Sequence, residues 1–416
     1  MYKIFLLLVS FTILSANEFN DLLQQLDENR LLKIKDYEIK ATNEYYRSQE
    51  GLYYPRIDIK SNYIHLKQTP QIAIHLPGVP SQWIDAGTQN IYDGQLILSY
   101  PLFRGYAIKN LVKKAQLQMQ MAKLKKDDLK RNLKLKFSVF YGTLYSLKAM
   151  NTALDEAKNA LESSYNKAKG FYKVGLIPQS ELFNIKANFY KIKANISKNN
   201  SDIKVLNNNI FYLTSQYAKA TTLPNISLTK KDIRNRADIK LLTRILLSNK
   251  LDIQLAKANN YPQIDLVASY KKVGNSINLD GDGFTNSDQS YAGIMLKYNI
   301  FNGFEDKYKI QSAKSNYFAK KLFLDDYIKK VELNIKNEYL KLDSLKQTLQ
   351  WANEALLASS KYLKLTLGRF EQQLISSDEL NRAIATKAKN KANLEKIKSD
   401  IFIQKSKINL ISGDSL

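Results

Sequence analysis

The side chains that usually carry chemistry are scarce in this chain. It has no cysteine and only two histidines, His65 and His75. That removes disulfides, thiolate zinc sites, iron–sulfur clusters, cysteine nucleophiles and three-histidine metal centres. One acidic run, Asp280-Gly281-Asp282-Gly283, has the look of a calcium loop. Such a loop needs an acid at its twelfth position, and counting from Asp280 that position is Tyr291. The run therefore reads as a turn between strands. There is no glycine-rich phosphate loop, and no carboxylates are clustered to support acid–base work, so no enzyme, cofactor or metal site is expected. Lys+Arg 63 against Asp+Glu 39 give a net charge of +24. The cations are spread along helical patterns rather than gathered with interleaved aromatics, so no nucleic-acid groove is expected.

The elements therefore matter more than any reactive group. At 416 residues, 44% apolar and 25% charged, the chain can bury a large core. It is too apolar for disorder and too polar for a bundle of membrane helices. Lys3, the apolar run Ile4–Leu14 and the small pair Ser15-Ala16 form a secretory signal, residues 1–16, with cleavage expected after Ala16. The run is too short to span a bilayer, and no later stretch is long and apolar enough to do so.

Three blocks recur in the same order. Tyr54-Pro55-Arg56-Ile57-Asp58-Ile59 returns as Tyr261-Pro262-Gln263-Ile264-Asp265-Leu266 at an offset of 207. Leu98–Gly105 returns as Leu296–Gly303, and Gly170–Ile177 as Gly368–Ile375, both at an offset of 198. The shorter offset after the first block means a longer loop in the first repeat, Pro70–Gly87. We expect two repeats, residues 17–225 and 226–416.

Between Gly105 and Gly170 there is no proline, and between Gly303 and Gly368 there is neither proline nor glycine. A helix of that length runs about 100 Å at 1.5 Å per residue. Ile108, Val112, Ala115, Met119, Ala122, Lys126, Leu129, Leu133, Phe137, Phe140, Leu144 and Leu147 step by threes and fours, with Lys126 alone breaking the apolar stripe. The double step of four at Leu129–Phe137 is a stutter, which straightens a coiled coil locally. Gln179–Leu223 returns antiparallel after Val174-Gly175-Leu176. There Gly175 permits a tight reversal and Pro178 suits the first turn of the returning helix. Long hairpins are expected over 105–223 and 303–412.

Strand pairs are expected at 54–67 with 93–103 and at 261–273 with 291–301. Ile57 and Ile59 share one parity, as do Leu96, Leu98, Tyr100 and Leu102, and Ile294, Leu296, Tyr298 and Ile300. One apolar face with aromatics near the ends fits membrane β-strands. Four strands cannot close a barrel, so other copies must pair their edges.

The doubled layout resembles the TolC-like outer-membrane efflux proteins over essentially the whole mature chain. The matching pieces are Tyr54-Pro55, Pro101-Leu102-Phe103-Arg104-Gly105, Val174-Gly175-Leu176, Arg236-Ala237-Asp238, Tyr261-Pro262, Ile300-Phe301-Asn302-Gly303 and Leu374-Ile375-Ser376. Ala237 stands where the family often has proline, and Gln372-Gln373 replace Val-Gly at the second tip. The resemblance implies an α+β membrane protein: a homotrimer forming a 12-stranded β-barrel continued by an α-helical tunnel across the periplasm. It also implies a passive exit duct in the outer-membrane lipid, working with a periplasmic adaptor and an inner-membrane transporter of RND, ABC or MFS type in efflux or type I secretion. By the same resemblance the adaptor contacts Val174, Gly175, Leu176, Gln373 and Leu374, and Asp378 and Glu379 belong to a periplasmic gate. The competing reading is a coiled-coil surface stalk or adhesin, which does not require duplicated strand pairs.

Overall fold

In the computed structural model, residues 18–229 and 232–413 are described; the expected signal, 1–16, lies outside them. After a short helix α1 (18–25) come α2 (Arg30–Glu50), β1 (Arg56–His65), β2 (Gln71–Ile74), β3 (Gln82–Asp85), β4 (Asn90–Arg104), α3 (Ala107–Lys173) and α4 (Gln179–Thr214). Then follow α5 (Ala237–Ala256), β5 (Gln263–Gly274), β6 (Tyr291–Lys297), α6 (Glu305–Glu371) and α7 (Ser377–Ile411). Helix, strand pair, long helix and shorter helix thus occur twice, and the two long helices have 67 residues each. The chain folds as two compact units, one of residues 1–37, 123–241 and 324–416, the other of 38–122 and 242–323. Each draws on both halves of the sequence.

The second unit holds an antiparallel four-stranded sheet in the order β1-β4-β5-β6. Its register explains the parity read from the sequence. Ile57 lies opposite Leu98 and Ile59 opposite Leu96; Leu98 faces Ala268, Leu96 faces Tyr270 and Tyr100 faces Leu266; Leu266 faces Ile294 and Ile264 faces Leu296. One face of the sheet is therefore apolar. The other carries Arg56, Asp58, Lys60, Gln95 and Lys271, and across it Asn62 donates to Asp93 and Gln95 Nε2 to Ser269 Oγ at 2.8 Å. β1 and β6 have no partner on their outer sides among the described residues. β6 stops at Lys297 rather than reaching 301: Lys297 pairs with Gln263, the first residue of β5, and the residue before it, Pro262, has no amide hydrogen to extend the ladder.

The expected long loop contains order of its own. β2 and β3 pair as a separate two-stranded sheet, with Ile72 opposite Ile84 and Ala73 opposite Trp83. The Leu-Phe-x-Gly blocks turn a strand into a helix through two successive left-handed residues, Gly105-Tyr106 and Gly303-Phe304. At Gly105 a Cβ would sit 2.3 Å from the Ala258 carbonyl oxygen, so only glycine fits. Phe103, Tyr106 and Tyr261 meet edge-on at this corner, while Tyr63 and Tyr92 pack at 4.7 Å at the other end of the sheet.

The first unit is a helical bundle. Phe19 of α1 packs on Phe137, Tyr141 and Phe402, within a core that includes Leu26, Leu144 and Ile210. Lys126, the break in the stripe, reaches Asp36 of α2 at 2.5 Å. The Arg-x-Asp motif is a buried clasp. Arg236 holds Asp238 with two hydrogen bonds, from Nε at 3.0 Å and Nη2 at 2.5 Å, and donates to the Ile411 carbonyl at the end of α7. Tyr327 of α6 donates to Asp238 at 2.8 Å, and Arg131 of α3 reaches it at 3.4 Å. Helices α3, α5 and α6 thus meet on one carboxylate, and Arg236 ties the end of α7 to it.

Burial alone would raise the Asp238 carboxyl. The Arg236 hydrogen bonds and charge, with Tyr327 and Arg131, outweigh it and hold the group at about 2. Its stabilising contribution is therefore complete above the ordinary carboxylate range and fades as pH falls from about 4 through about 2. Asp238→Asn should cost about 3 kcal/mol near neutral pH, since one partner of a buried pair is lost. In denaturant unfolding followed by circular dichroism, the gap between variant and parent should narrow as pH drops toward 2.

Candidate functional site at the hairpin tips

Both long helices end in the same way. At the first tip the Leu176 amide donates to the Phe171 carbonyl at 2.9 Å and the Gly175 amide to Tyr172 at 3.0 Å. At the second, Leu374 donates to Arg369 at 2.9 Å and Gln373 to Phe370 at 2.9 Å. These pairs satisfy the last helical carbonyls and require a left-handed residue just past the helix. Gly175 fills that place with φ +76° and Gln373 with φ +60°. The glutamine keeps the geometry of the lost glycine at the cost of local strain.

The two tips are joined. Phe171 and Phe370 pack at 6.3 Å above a core of Leu161, Ile185, Leu363, Leu380 and Ile384. Lys167 of α3 pairs with Glu371 of α6. Glu181, in the first turn of α4, accepts a hydrogen bond from the Ser377 amide at 2.7 Å, and Asn184 donates to Ser377 Oγ at 3.3 Å. One hairpin thus caps the returning helix of the other.

What remains outward is apolar. Val174 is 69% exposed, Leu176 56% and Leu374 64%, so the two tips together present three uncovered aliphatic side chains. Asp378 and Glu379 stand in the first turn of α7, where negative charge complements the helix dipole. Ser376 caps that turn by accepting from the Glu379 amide at 3.4 Å. Asp378 pairs with Arg382 at 2.9 Å, and Glu379 lies 4.0 Å from Arg369. The expected gate acids are thus each beside an arginine in this state.

Two residues of the site carry no signal in the sequence. Glu181 reads there as an ordinary first-turn acid, and its partner lies 196 positions away. Asn381 is buried on α7 with both amide atoms lacking a partner. It lines a cavity of about 290 Å³ with Met150, Leu154, Asn188, Ile192 and Ile384. No group of three or more potential metal ligands exists among the described residues.

The outer membrane efflux protein family model matches residues 245–413. Solved structures extend the likeness to the whole chain. CusC superposes with a TM-score of 0.81 at 14% identity over 96% of this chain and 92% of its own. VceC of Vibrio cholerae, an outer membrane protein, gives 0.79 at 15% over 96% and 97%. The CmeC outer membrane channel of Campylobacter jejuni gives 0.79 at 14% over 95% and 85%. The chain has the TolC-like fold, and its residues 245–413 are similar to the outer membrane efflux protein family. A search of curated protein sequences finds no match. No described helix is long and apolar enough to cross a membrane.

Gly175→Ala should destabilise the first tip by about 1 kcal/mol and Gln373→Gly should stabilise the second by a similar amount, since each exchanges the residue held at positive φ. Hydrogen exchange at the Leu176 and Leu374 amides reads both. Glu181→Ala should loosen the second tip by about 2 kcal/mol through loss of a charged acceptor, seen as faster exchange of the Ser377 amide.

Proposed function

We propose that this chain is the outer-membrane channel-tunnel of a tripartite efflux or type I secretion system, a passive duct that carries substrates from an inner-membrane pump and periplasmic adaptor out of the cell. The observation that carries the reading is the sheet: apolar on one face, largely polar on the other, and open at both edges among the described residues. Such a sheet is stable in a bilayer only when copies close it into a ring, with lipid outside and water inside. Three copies give a 12-stranded barrel. Exposed stripes on the helices support the same assembly. Phe183, Tyr190, Val205 and Tyr212 share one face of α4, and Leu333, Leu340, Trp351 and Leu365 one face of α6, all exposed in the single chain. A surface stalk would need the helices but not this sheet.

In this reading Val174, Gly175, Leu176, Gln373 and Leu374 receive the adaptor, which covers the three aliphatic side chains. Asp378 and Glu379 form the periplasmic gate. Copies of these acids around one axis repel one another, and Arg382 and Arg369 offset that repulsion in the state described here. The transporter is of RND, ABC or MFS type, and cargo selectivity resides mainly there.

Single-channel conductance of the detergent-extracted protein in a planar bilayer, with its native mass, tests this. A trimer with small conductance that rises at least twofold in Asp378→Ala/Glu379→Ala supports the gated duct. A monomer without conductance rules it out. Val174→Asp/Leu374→Asp should leave conductance unchanged and abolish export in cells carrying the partner pump and adaptor.

A further inference from the structure

We infer that the β2–β3 hairpin is a contact between copies of this chain, so that hairpins of neighbouring copies pack on one another beyond the end of the four-stranded sheet. The inference rests on the ring assembly proposed above and adds to it a specific surface.

The hairpin is ordered. Gln71 donates to Asp85 at 2.8 Å, the Ala86 amide to the Pro70 carbonyl at 2.7 Å and the Val79 amide to Leu76 at 3.1 Å. Pro70, Pro77 and Pro80 restrict its backbone further. Yet it leaves apolar side chains in the open. Ile72, Ile74 and Ile84 lie on one face, Trp83 on the other, and Leu76 and Val79 at the turn, with Trp83 69% and Leu76 61% exposed. Between Lys67 and Asp85 no residue carries a formal charge, in a chain that is 25% charged overall. An exposed patch of this kind marks an interface.

Its place in the fold selects the occupant. The Leu66 amide donates to Gln89 at 2.8 Å, so β2 and β3 prolong β1 and β4 as one interrupted hairpin. β1 is an edge strand. The extension therefore grows from the strand at which a neighbouring copy must join, and it continues that junction. A hairpin lying on lipid would need one polar face to turn toward water. This one sets Trp83, 69% exposed, on the face that carries Gln71 and Asp85, so that a large apolar group would still stand in water, and both of its own edges are unpaired among the described residues.

The absence of cysteine makes the test clean. Val79→Cys, reconstituted in liposomes and treated with a mild oxidant, should give a disulfide-linked dimer band on non-reducing gels. Trp83 and Trp351 are the only tryptophans, so Trp351→Phe leaves Trp83 as the sole emitter. Its emission should be blue-shifted and shielded both from acrylamide and from brominated lipid. Quenching by brominated lipid overturns the inference in favour of a membrane contact. Free quenching by acrylamide, with no cross-linked dimer, overturns it in favour of solvent. Native mass separates the two levels: an oligomer with a solvent-exposed Trp83 sinks only the hairpin contact, whereas a monomer sinks the ring itself.

Discussion

Unpaired backbone governs this structure. A sheet of four strands with both edges open exposes rows of amide and carbonyl groups, and no side-chain chemistry compensates for that in an apolar surrounding. In the bilayer proposed above, the apolar face makes the constraint stricter, because lipid removes water as an alternative partner on that side. The features of the second unit follow from it. Aromatics collect at both ends of the strands, the polar face carries cross-strand pairs, and the corners into the long helices are built from two left-handed residues that keep the chain from running on as strand.

The helical unit solves a different problem, that of holding two long hairpins in register. It does so at two places. The Arg236–Asp238 clasp gathers α3, α5 and α6 on one buried carboxylate and holds the end of α7 through Arg236. At the tips, Glu181 caps the helix of the other hairpin, and Phe171 packs on Phe370. Between them the bundle relies on aliphatic packing along the stripe that includes Leu133, Phe137 and Leu144.

Much of this was legible in the sequence because it is written in short-range pattern. The parity of Ile57, Leu98 and Ile294 and the steps of three and four along α3 are local, and the structure bears out the duplicated α+β fold they announced. Lys126 looked like a flaw only because its partner, Asp36, belongs to another helix. The β2–β3 pairing was hidden by prolines at 70, 77 and 80 and by a glycine turn, which read as loop although the segments between them still pair. Glu181 was hidden for the opposite reason: its role is set entirely by a residue from the other half of the chain.

Asn381 has a further consequence. A buried amide with neither atom bonded, on a cavity lined by Met150, Leu154, Ile384 and also Asn188, leaves the packing there about 1–3 kcal/mol less stable than an aliphatic residue of similar size would. The bundle is thus not tuned for maximal cohesion where the two hairpins meet. If the tips part and rejoin in the duct proposed above, this asparagine makes the seam shallower at that point.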